Sequence, residues 1–410
     1  MNEVSQKPKL PEGWKWVRLG EVVEESKERN TRSLVKTVLT ISNQYGFVDQ
    51  SDFFGRLLSS KDTQKYKVVS TNYFAYNPAR INVGSIALNE IPESGILSPM
   101  YVVFKIKYSL MPKFFKFYTL TDRFKNQVLN GLAGSVRECL SFSSLITFAF
   151  PLPPLPEQQK IAEILETVDN AIEKTDAIIE KYKRIKKGLM QELLTKGIDE
   201  NGKIRSEKTH CFKDSPLGKI PEEWEVKRLG EVTEIYDNKR VPLDSEVRTT
   251  MKGEVPYCGA TGIIDYINDY IFEGEFVLIA EDGGKFNRFE DTSYIMRGKF
   301  WVNNHAHVVK GKNAILNNLF LVYSINFQDI GFYILGSTRD KLNQQVLKSI
   351  LIPLPPLSEQ QRIAAILSQI DEVIEKETQY RDKLKRLKAG LMEDLLTGKV
   401  EVNHLIKEEA

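Results

Sequence analysis

Two stretches of the chain carry side chains that can hydrogen-bond to nucleotide bases and phosphates. The first is Asn77-Pro78-Ala79-Arg80-Ile81-Asn82-Val83-Gly84-Ser85, and the second is Gly283-Gly284-Lys285-Phe286-Asn287-Arg288 with Asn303-Asn304-His305 further on. Arg and Lys pair with guanine O6 and N7, Asn pairs with adenine N6 and N7, and Gly lets the backbone approach phosphate. The same residue types also make ordinary turns, so each loop is weak evidence when taken alone.

Patterns that would indicate catalysis are missing. No glycine fingerprint for AdoMet or a nucleotide follows a strand-like segment, and no GxxxxGK[ST] loop occurs. Residues 77–80 depart from the N/D-P-P-aromatic motif of adenine N6-methyltransferases at the third and fourth positions. Residues 281–285 superficially resemble the carboxylate-lysine cluster of a nuclease, but the further acidic residue that such a site needs is missing. His305 and His307 have a spacing suited to a metal ion, but no third ligand is found for them. We therefore expect no catalytic site, cofactor or metal on this chain.

Composition and charge are those of a globular protein with a basic beginning. The 410 residues are 41% hydrophobic and 27% charged, with a net charge of +2. Residues 1–150 carry 20 Lys and Arg against 13 Asp and Glu, a net of +7, which suits a polyanion partner. Three separated cysteines form no C-x-x-C pair, and neither a bilayer-spanning stretch nor a signal-peptide pattern occurs. We expect a cytoplasmic protein with no membrane association.

The chain is a tandem repeat of a nearly constant frame. LPEGWKWVRLGEV (residues 10–22) recurs as IPEEWEVKRLGEV (220–232), and the segment 151–198 recurs as 353–400. Gly134-Ser135-Val136-Arg137 likewise aligns with Gly336-Ser337-Thr338-Arg339, whereas the intervening interiors share almost nothing recognisable. Plain duplication with drift would spread the differences more evenly, so we interpret the interiors as two separate recognition surfaces on one scaffold. The candidate DNA contacts are Asn77, Arg80, Asn82, Ser85, Ser135, Arg137, Lys285, Asn287, Arg288, Asn303, Asn304, Ser337 and Arg339.

The repeated segments predict two long helices. Residues Pro151 to Pro156 are expected to be extended, with the helix starting at Glu157 and running about 35–38 residues, roughly 55 Å. Apolar residues with alternating spacings of four and three form a coiled-coil seam, which Glu377 and Arg381 interrupt in the second copy. The expected inter-helix residues are Ile161, Leu165, Val168, Ile172, Ile179, Tyr182, Ile363, Leu367, Ile370, Ile374 and Leu384.

Two similar amphipathic helices in one chain most simply pack against each other. Antiparallel pairing would give the chain a pseudo-twofold axis and make the helices a ruler between the domains; the alternative is that each helix packs on its own domain. The interiors are rich in β-branched and aromatic runs broken by Gly, Asn and Pro. We predict an α+β protein with two α/β domains of mostly β core, in four segments: 1–150, 151–210 (helix and linker), 211–352 and 353–410.

The doubled motif resembles the conserved regions of Type I restriction-modification specificity subunits. It consists of PLPPLPEQQKIAEIL and PLPPLSEQQRIAAIL, each leading to K-x-G-L-M-x-x-L-L-T, with PEGWKWVRLGEV and PEEWEVKRLGEV resembling the starts of that family's target recognition domains. The resemblance covers nearly the whole chain. It implies two target recognition domains that read the two halves of a bipartite, asymmetric site in double-stranded DNA.

The resemblance also implies partners. The helices would bind two modification (M) subunits, which carry AdoMet and methylate adenine N6, and restriction (R) subunits would add ATP- and Mg-dependent translocation and cleavage. The apolar patch past a glycine at the end of each repeat is either a helix end or a docking surface. The M-docking candidates are Leu189, Met190, Leu193, Leu194, Leu391, Met392, Leu395 and Leu396. Two alternatives remain open: a stand-alone DNA-modifying enzyme with an unfamiliar site, and a coiled-coil scaffold with no role on DNA.

Overall fold

The computed structural model describes residues 9–43, 45–56, 62–133, 139–334 and 341–406. The chain divides into two compact units, Met1–Thr175 with Tyr380–Ala410 and Asp176–Gln379. Each unit contains one globular domain, the beginning of one long helix and the end of the other. The predicted α+β class, with two domains and long helices, is confirmed. The four-segment division stays a prediction, because both long helices cross from one unit to the other.

The first unit is built on short strands. Its largest sheet has four strands in the order Val23–Ser26, Val102–Ile106, Phe74–Tyr76 and Ile86–Leu88, all antiparallel. Two further antiparallel pairs are Leu39–Ser42 with Gly46–Asp49 and Lys67–Val69 with Gly95–Leu97. The helices of this domain are Leu19–Val22, Gln50–Phe54, Ile81–Val83 (3-10), Pro112–Tyr118, Asp122–Leu132 and Phe142–Leu145. An aromatic cluster that includes Phe74, Phe104 and Phe115 fills the core beneath the sheet.

The second unit has longer strands and one six-stranded sheet. Its strand order is Thr233–Ile235, Ala306–Gly311, Phe272–Ala280, Ser293–Val302, Lys252–Gly259 and Gly262–Ile267. The pairing of Lys252–Gly259 with Ser293–Val302 is parallel, and the other pairings are antiparallel. The remaining pieces are the hairpin Phe212–Ser215 and Gly218–Pro221, and the helices Leu229–Val232, Asp237–Lys239 (3-10), Ser245–Thr250, Asn318–Phe327, Gly331–Ile334 and Gln344–Ser349.

The two recurring sequence motifs pair with each other in both units. Lys15–Arg18 pairs antiparallel with Ala149–Leu152, and Glu225–Arg228 pairs in the equivalent register with Leu351–Leu354. In each case the chain then makes one helical turn over L-G-E-V. In each unit this strand pair therefore joins the first strand of the domain to the strand that precedes the long helix. The residues of the divergent sheet lie between these two strands in sequence.

The long helices are Leu155–Leu193, with 39 residues, and Leu357–Thr397, with 41 residues. The predicted start at Glu157 is therefore two residues late. Pro156 occupies the first helical turn, where its missing N–H would have no partner in any case. The repeated tails past Gly188 and Gly390 contain the helix ends, at Leu193 and Thr397. Both helices continue through their glycine, because tertiary packing of the following leucines outweighs the cost of about 1 kcal/mol. The second helix likewise continues unbroken past Glu377 and Arg381.

Within the first unit the two helix segments are antiparallel. Lys388 Nζ lies 2.5 Å from Asp169 Oδ1, and Leu396 packs in the same core cluster as Ile161. Lys388 also lies over the ring of Phe117, 5.5 Å from its centroid. The helix start is therefore buried against both its own domain and the end of the other helix. Packing on the domain and packing on the other helix, posed above as alternatives, occur together.

Within the second unit the same arrangement recurs with the helices exchanged. Lys186 Nζ lies 2.6 Å from Asp371 Oδ1, and Leu193 shares a core cluster with Ile363. Lys186 lies over the ring of Tyr323, whose hydroxyl donates to Asp371 at 2.7 Å. Residues late in one helix again meet residues early in the other, so the segments run antiparallel here too.

Candidate nucleic-acid interface

The first candidate loop, residues 77–85, connects Phe74–Tyr76 to Ile86–Leu88, and its first and last residues are hydrogen-bonded to each other. The Asn77 backbone N–H donates to the Ser85 carbonyl at 3.0 Å, and the Asn77 side-chain oxygen accepts the Ala79 N–H at 3.1 Å. Asn77 and Ser85 are both buried, whereas Arg80 and Asn82 are exposed. The two ends thus shape the loop, and the two side chains between them face solvent.

The second candidate loop, residues 281–292, connects Phe272–Ala280 to Ser293–Val302. Lys285, Asn287 and Arg288 are all exposed. Asn287 donates to Glu290 Oε2 through its backbone at 2.9 Å and through its amide at 3.0 Å. Arg288 is held within the unit: Nη2 donates to Gln191 Oε1 at 2.7 Å, and the guanidinium stacks on Phe327. Lys285 is therefore the most available cation of this loop.

A short turn, residues 303–305, lies at the same edge of the sheet as the second loop. Ala280, the last residue of Phe272–Ala280, pairs with Ala306, the first residue of Ala306–Gly311. The loop that follows Ala280 and the turn that precedes Ala306 are therefore neighbours. Asn303 is buried, and its side-chain oxygen accepts the His305 N–H at 2.8 Å. Asn304 is exposed. The structure thus brings together the two candidate stretches of this domain, which are separated in sequence by the strand Ser293–Val302.

Four predicted contacts lie outside the described residues: Ser135, Arg137, Ser337 and Arg339. Of the nine described candidates, the exposed ones are Arg80, Asn82, Lys285, Asn287, Arg288 and Asn304. The side-chain oxygens of Asn77 and Asn303 accept backbone N–H groups within their turns, and Ser85 closes its loop through its backbone carbonyl. Contact with DNA stays a prediction for all of them.

A buried charged network supports the second loop. Arg240 Nη1 lies 2.6 Å from Glu281 Oε2, and Lys341 Nζ lies 2.9 Å from Glu281 Oε1. Asp237 accepts from His307 Nδ1 at 2.6 Å and from the Val308 N–H at 3.0 Å. Burial acts to raise the pKa of Asp237, but these hydrogen bonds and one from Gln344 outweigh burial and hold the pKa below its usual value. Sequence inspection singled out none of these residues except Glu281 and His307.

The acid stability of the second unit is expected to depend on Asp237. Its native pKa lies below the unfolded value of about 3.9, so Asp237 adds stability above about pH 4, and this is lost as the pH falls through the native pKa. Asp237→Asn should lower the free energy of unfolding near pH 7 and have progressively less effect below about pH 4. Urea unfolding at several pH values measures the difference, and a difference that does not change with pH would contradict the assignment.

The recurring Trp and Glu of the frame are hydrogen-bonded to each other. Trp14 Nε1 donates to Glu157 Oε2 at 2.9 Å, and Trp224 Nε1 donates to Glu359 Oε2 at 3.2 Å. All four side chains are buried. Glu359 also accepts hydrogen bonds from both terminal guanidinium nitrogens of Arg205. Sequence comparison found these motifs through their recurrence but did not assign them to each other.

The glutamine after each of these glutamates supports backbone that belongs to the domain. Gln158 Oε1 accepts the Met111 N–H at 2.7 Å, and Gln360 Oε1 accepts the Asn317 N–H at 2.9 Å. Each amide nitrogen donates to two carbonyls, one of them in the Pro-rich lead-in. Structural support of this kind explains why the frame recurs while the sheets diverge.

The predicted seam residues are buried or half-buried throughout. The buried ones are Ile161, Leu165, Val168, Ile179, Ile363, Leu367 and Leu384, and the half-buried ones are Ile172, Tyr182, Ile370 and Ile374. The polar pair Glu377 and Arg381 is half-buried, and Arg381 donates to Asp382.

Five of the eight M-docking candidates are buried in the cores of this chain. They are Met190, Leu193, Leu194, Leu395 and Leu396. Their packing against the domains makes them unavailable to a partner unless the core opens. Leu189, Leu391 and Met392 are half-buried at the rim of the same clusters.

No group of three or more His, Cys, Asp or Glu side chains suited to a metal ion occurs among the described residues. His305 and His307 instead contact Asp282 and Asp237 respectively. In the same part of the chain, every helix is too short or too polar to cross a membrane.

The sequence matches the model of the Type I restriction modification DNA specificity domain at residues 11–183 and 221–386. The chain therefore belongs to this family of DNA specificity proteins. It is similar to the Type I restriction enzyme MjaVIII specificity subunit of Methanocaldococcus jannaschii, with 28% identity covering 97% of this chain and 95% of the relative. A specificity subunit named S.HindORF215P, from Haemophilus influenzae, is 44% identical over 36% of this chain and 37% of its own length.

Two solved structures share the fold at low identity. The S subunit of a Type I restriction-modification system from M. genitalium has a TM-score of 0.63 at 15% identity, covering 96% of this chain and 98% of its own. A chain from a Type I restriction-modification complex has a TM-score of 0.53 at 20% identity, covering 96% and 100%. The two structures thus share the fold of this chain. The family match and the curated relatives identify the chain as a non-catalytic DNA-recognition subunit of the Type I system. The family match and these relatives do not favour the enzyme and scaffold alternatives.

Proposed function

We propose that each unit reads one half of a bipartite, asymmetric DNA site and that the chain positions M and R subunits on that site in the cytoplasm. The observation that carries the proposal is a shared frame around two unlike sheets. The Trp–Glu and Gln contacts are the same in both units, but the four-stranded and six-stranded sheets end in loops with different exposed donors. Different donors at equivalent positions suit two different base sequences.

Substituting one exposed cation in each loop tests whether each unit reads its own half-site. Arg80→Ala should weaken binding of the chain with its M partner by about 1–3 kcal/mol, with relaxed preference at one half-site only. Lys285→Ala should affect the other half-site. Binding is measured on duplexes with either half scrambled, at fixed salt, because phosphate contacts depend strongly on ionic strength.

Matched controls lie at the opposite end of each sheet. Lys105 is paired with Glu24, and Lys299 lies over Tyr270, so both are surface lysines remote from the loops. Lys105→Ala and Lys299→Ala should leave both half-site preferences intact. Loss of both preferences from a single loop variant would contradict separate readout.

A repeated exposed stripe on the long helices suits M docking better than the buried leucines do. In the second unit it comprises Ile178, Lys181, Ile185 and Gly188, and in the first Tyr380, Lys383, Leu387 and Gly390. The four apolar side chains are 37–52% exposed, and nothing lies within 4 Å of a Cβ built on either glycine. Spacings of three and four place each set on one helix face. Two exposed stripes at equivalent positions, retained where the sheets diverge, suit two copies of one partner.

The docking proposal predicts loss of one M subunit for each stripe disrupted. Ile185→Glu should give a complex with a single M subunit, and so should Leu387→Glu, since a buried unpaired carboxylate opposes an apolar interface. The double variant should bind none. Native mass spectrometry counts the subunits, and Glu173→Ala, on another face of the first helix, is the control. Retention of both M subunits by the double variant would refute the stripe.

By the family resemblance, AdoMet belongs to the M subunits, and ATP and Mg to the R subunits.

A further inference from the structure

One leucine at an equivalent position in each unit is tied to the candidate loop. The Leu140 N–H donates to the Pro78 carbonyl at 3.0 Å, and the Leu342 N–H donates to the Glu281 carbonyl at 2.7 Å. Leu140 and Leu342 are 202 positions apart, the offset of the repeated helices, and both are fully buried. Pro78 and Glu281 lie at the start of their loops. The same backbone contact thus holds both loops, although the loops share no sequence.

The carbonyl of each leucine is held by a buried side chain of the sheet. Tyr76 Oη donates to the Leu140 carbonyl at 3.1 Å, and His307 Nε2 donates to the Leu342 carbonyl at 2.6 Å. Tyr76 is 0% and His307 1% exposed. Tyr76 ends the strand that leads directly into the first loop, whereas His307 lies on the strand beside the one that leads into the second. Two different side chains therefore perform the same contact.

His307 joins three parts of the second unit. Its Nε2 faces the Leu342 carbonyl, which can only accept, so this nitrogen carries a proton. Its Nδ1 lies 2.6 Å from Asp237 Oδ2 and 3.8 Å from Glu281 Oε2. Arg240 and Lys341 in turn pair with Glu281. The imidazole thus connects the second loop, the leucine and Asp237.

We propose that Tyr76 and His307 are positioning residues for half-site readout, each setting the loop of its own unit through the leucine beside it. This inference rests on the proposed function. Neither side chain is exposed, so neither touches DNA. Loss of either donor leaves a leucine carbonyl buried without its partner, and the loop backbone tied to that leucine relaxes. Loops that present base-reading side chains depend on such support for their geometry.

The test uses the full chain in complex with its M partner. Tyr76→Phe should reduce discrimination at the first half-site about tenfold and leave the second unchanged. His307→Asn keeps a donor near Asp237 and loses the one to Leu342, so it should reduce discrimination at the second half-site only. His307→Gln places an amide nitrogen near the position of Nε2 and should restore most of the discrimination at the second half-site. Tyr118→Phe, which removes another buried hydroxyl of the first unit, should change neither.

A second measurement separates positioning from general destabilisation. Hydrogen exchange should rise in residues 77–85 of Tyr76→Phe and in residues 281–292 of His307→Asn, with the long helices still protected. Unchanged discrimination in both variants, or equal loss at both half-sites, would overturn the inference while the wild-type complex still discriminates. A wild-type complex with no half-site preference would instead count against the proposed function.

Discussion

Glu359→Ala is expected to lower the free energy of unfolding of the second unit by about 3–5 kcal/mol. Arg205 donates to Glu359 with both terminal nitrogens, at 2.5 and 3.1 Å, and Arg205 is only 6% exposed. The Ile198 N–H and Trp224 Nε1 donate to the same carboxylate. Removing the carboxylate leaves two buried N–H groups without their acceptor, and the buried Arg205 keeps only its contact with the exposed Glu223, 3.0 Å away. Urea unfolding followed by hydrogen exchange in residues 176–379 assigns the loss to this unit.

The equivalent residue of the first unit is the matched control. Glu157 accepts from Trp14 Nε1, and the described residues show no arginine paired with it. Glu157→Ala should therefore cost less, about 1–3 kcal/mol, and act on the first unit. Equal losses from the two substitutions would show that the Arg205 pair contributes little.

Gly197 shows how tightly this region is packed. Its φ is +64°, and a Cβ there would lie 2.2 Å from Glu359 Oε1 and 2.4 Å from the Trp224 ring. Only glycine suits a position with both a left-handed backbone and so close a neighbour. The chain leaving the first long helix thus meets the carboxylate at the start of the second.

Gln158→Leu and Gln360→Leu are each expected to destabilise their own unit by about 3 kcal/mol or more. Both glutamines are 0% exposed and make three hydrogen bonds to backbone groups. Leucine has a similar volume but satisfies none of these groups, and each buried unsatisfied group costs about 1–3 kcal/mol. Because the contacts are equivalent, the two variants should lose similar amounts, as measured by urea unfolding.

The next residue in each motif provides the control for this substitution. Gln159 and Gln361 are exposed, so Gln159→Leu and Gln361→Leu should change stability by less than about 0.5 kcal/mol. A small effect from the buried glutamines would mean that water or backbone movement replaces their hydrogen bonds.

Sequence patterns led to the helices, the repeat and the separation into two unlike domains. These follow from local signals: apolar residues at spacings of three and four, prolines that exclude helix, and recurrence at a fixed offset. Local signals were less accurate at boundaries. Pro156 was interpreted as the last residue of an extended lead-in, whereas it lies in the first turn of the helix.

The candidate loops show where sequence inspection reached its limit. Asn77, Ser85 and Asn303 have the same polar character as Arg80, Asn82 and Asn304, yet the first three are buried in turns and the others are exposed. Residue type indicates which groups can bind bases, but it does not indicate whether those groups are already used by the backbone of the loop.

The sequence alone determined the family, the doubled frame and the long amphipathic helices, because these depend on residue order and periodicity. Only the tertiary structure decided which polar residues support the frame and which face solvent. Trp14 and Glu157 are 143 positions apart, and Leu140 reaches a loop more than 50 residues before it, so no local pattern could pair them. Burial is a property of the folded chain, and it gives similar side chains opposite roles.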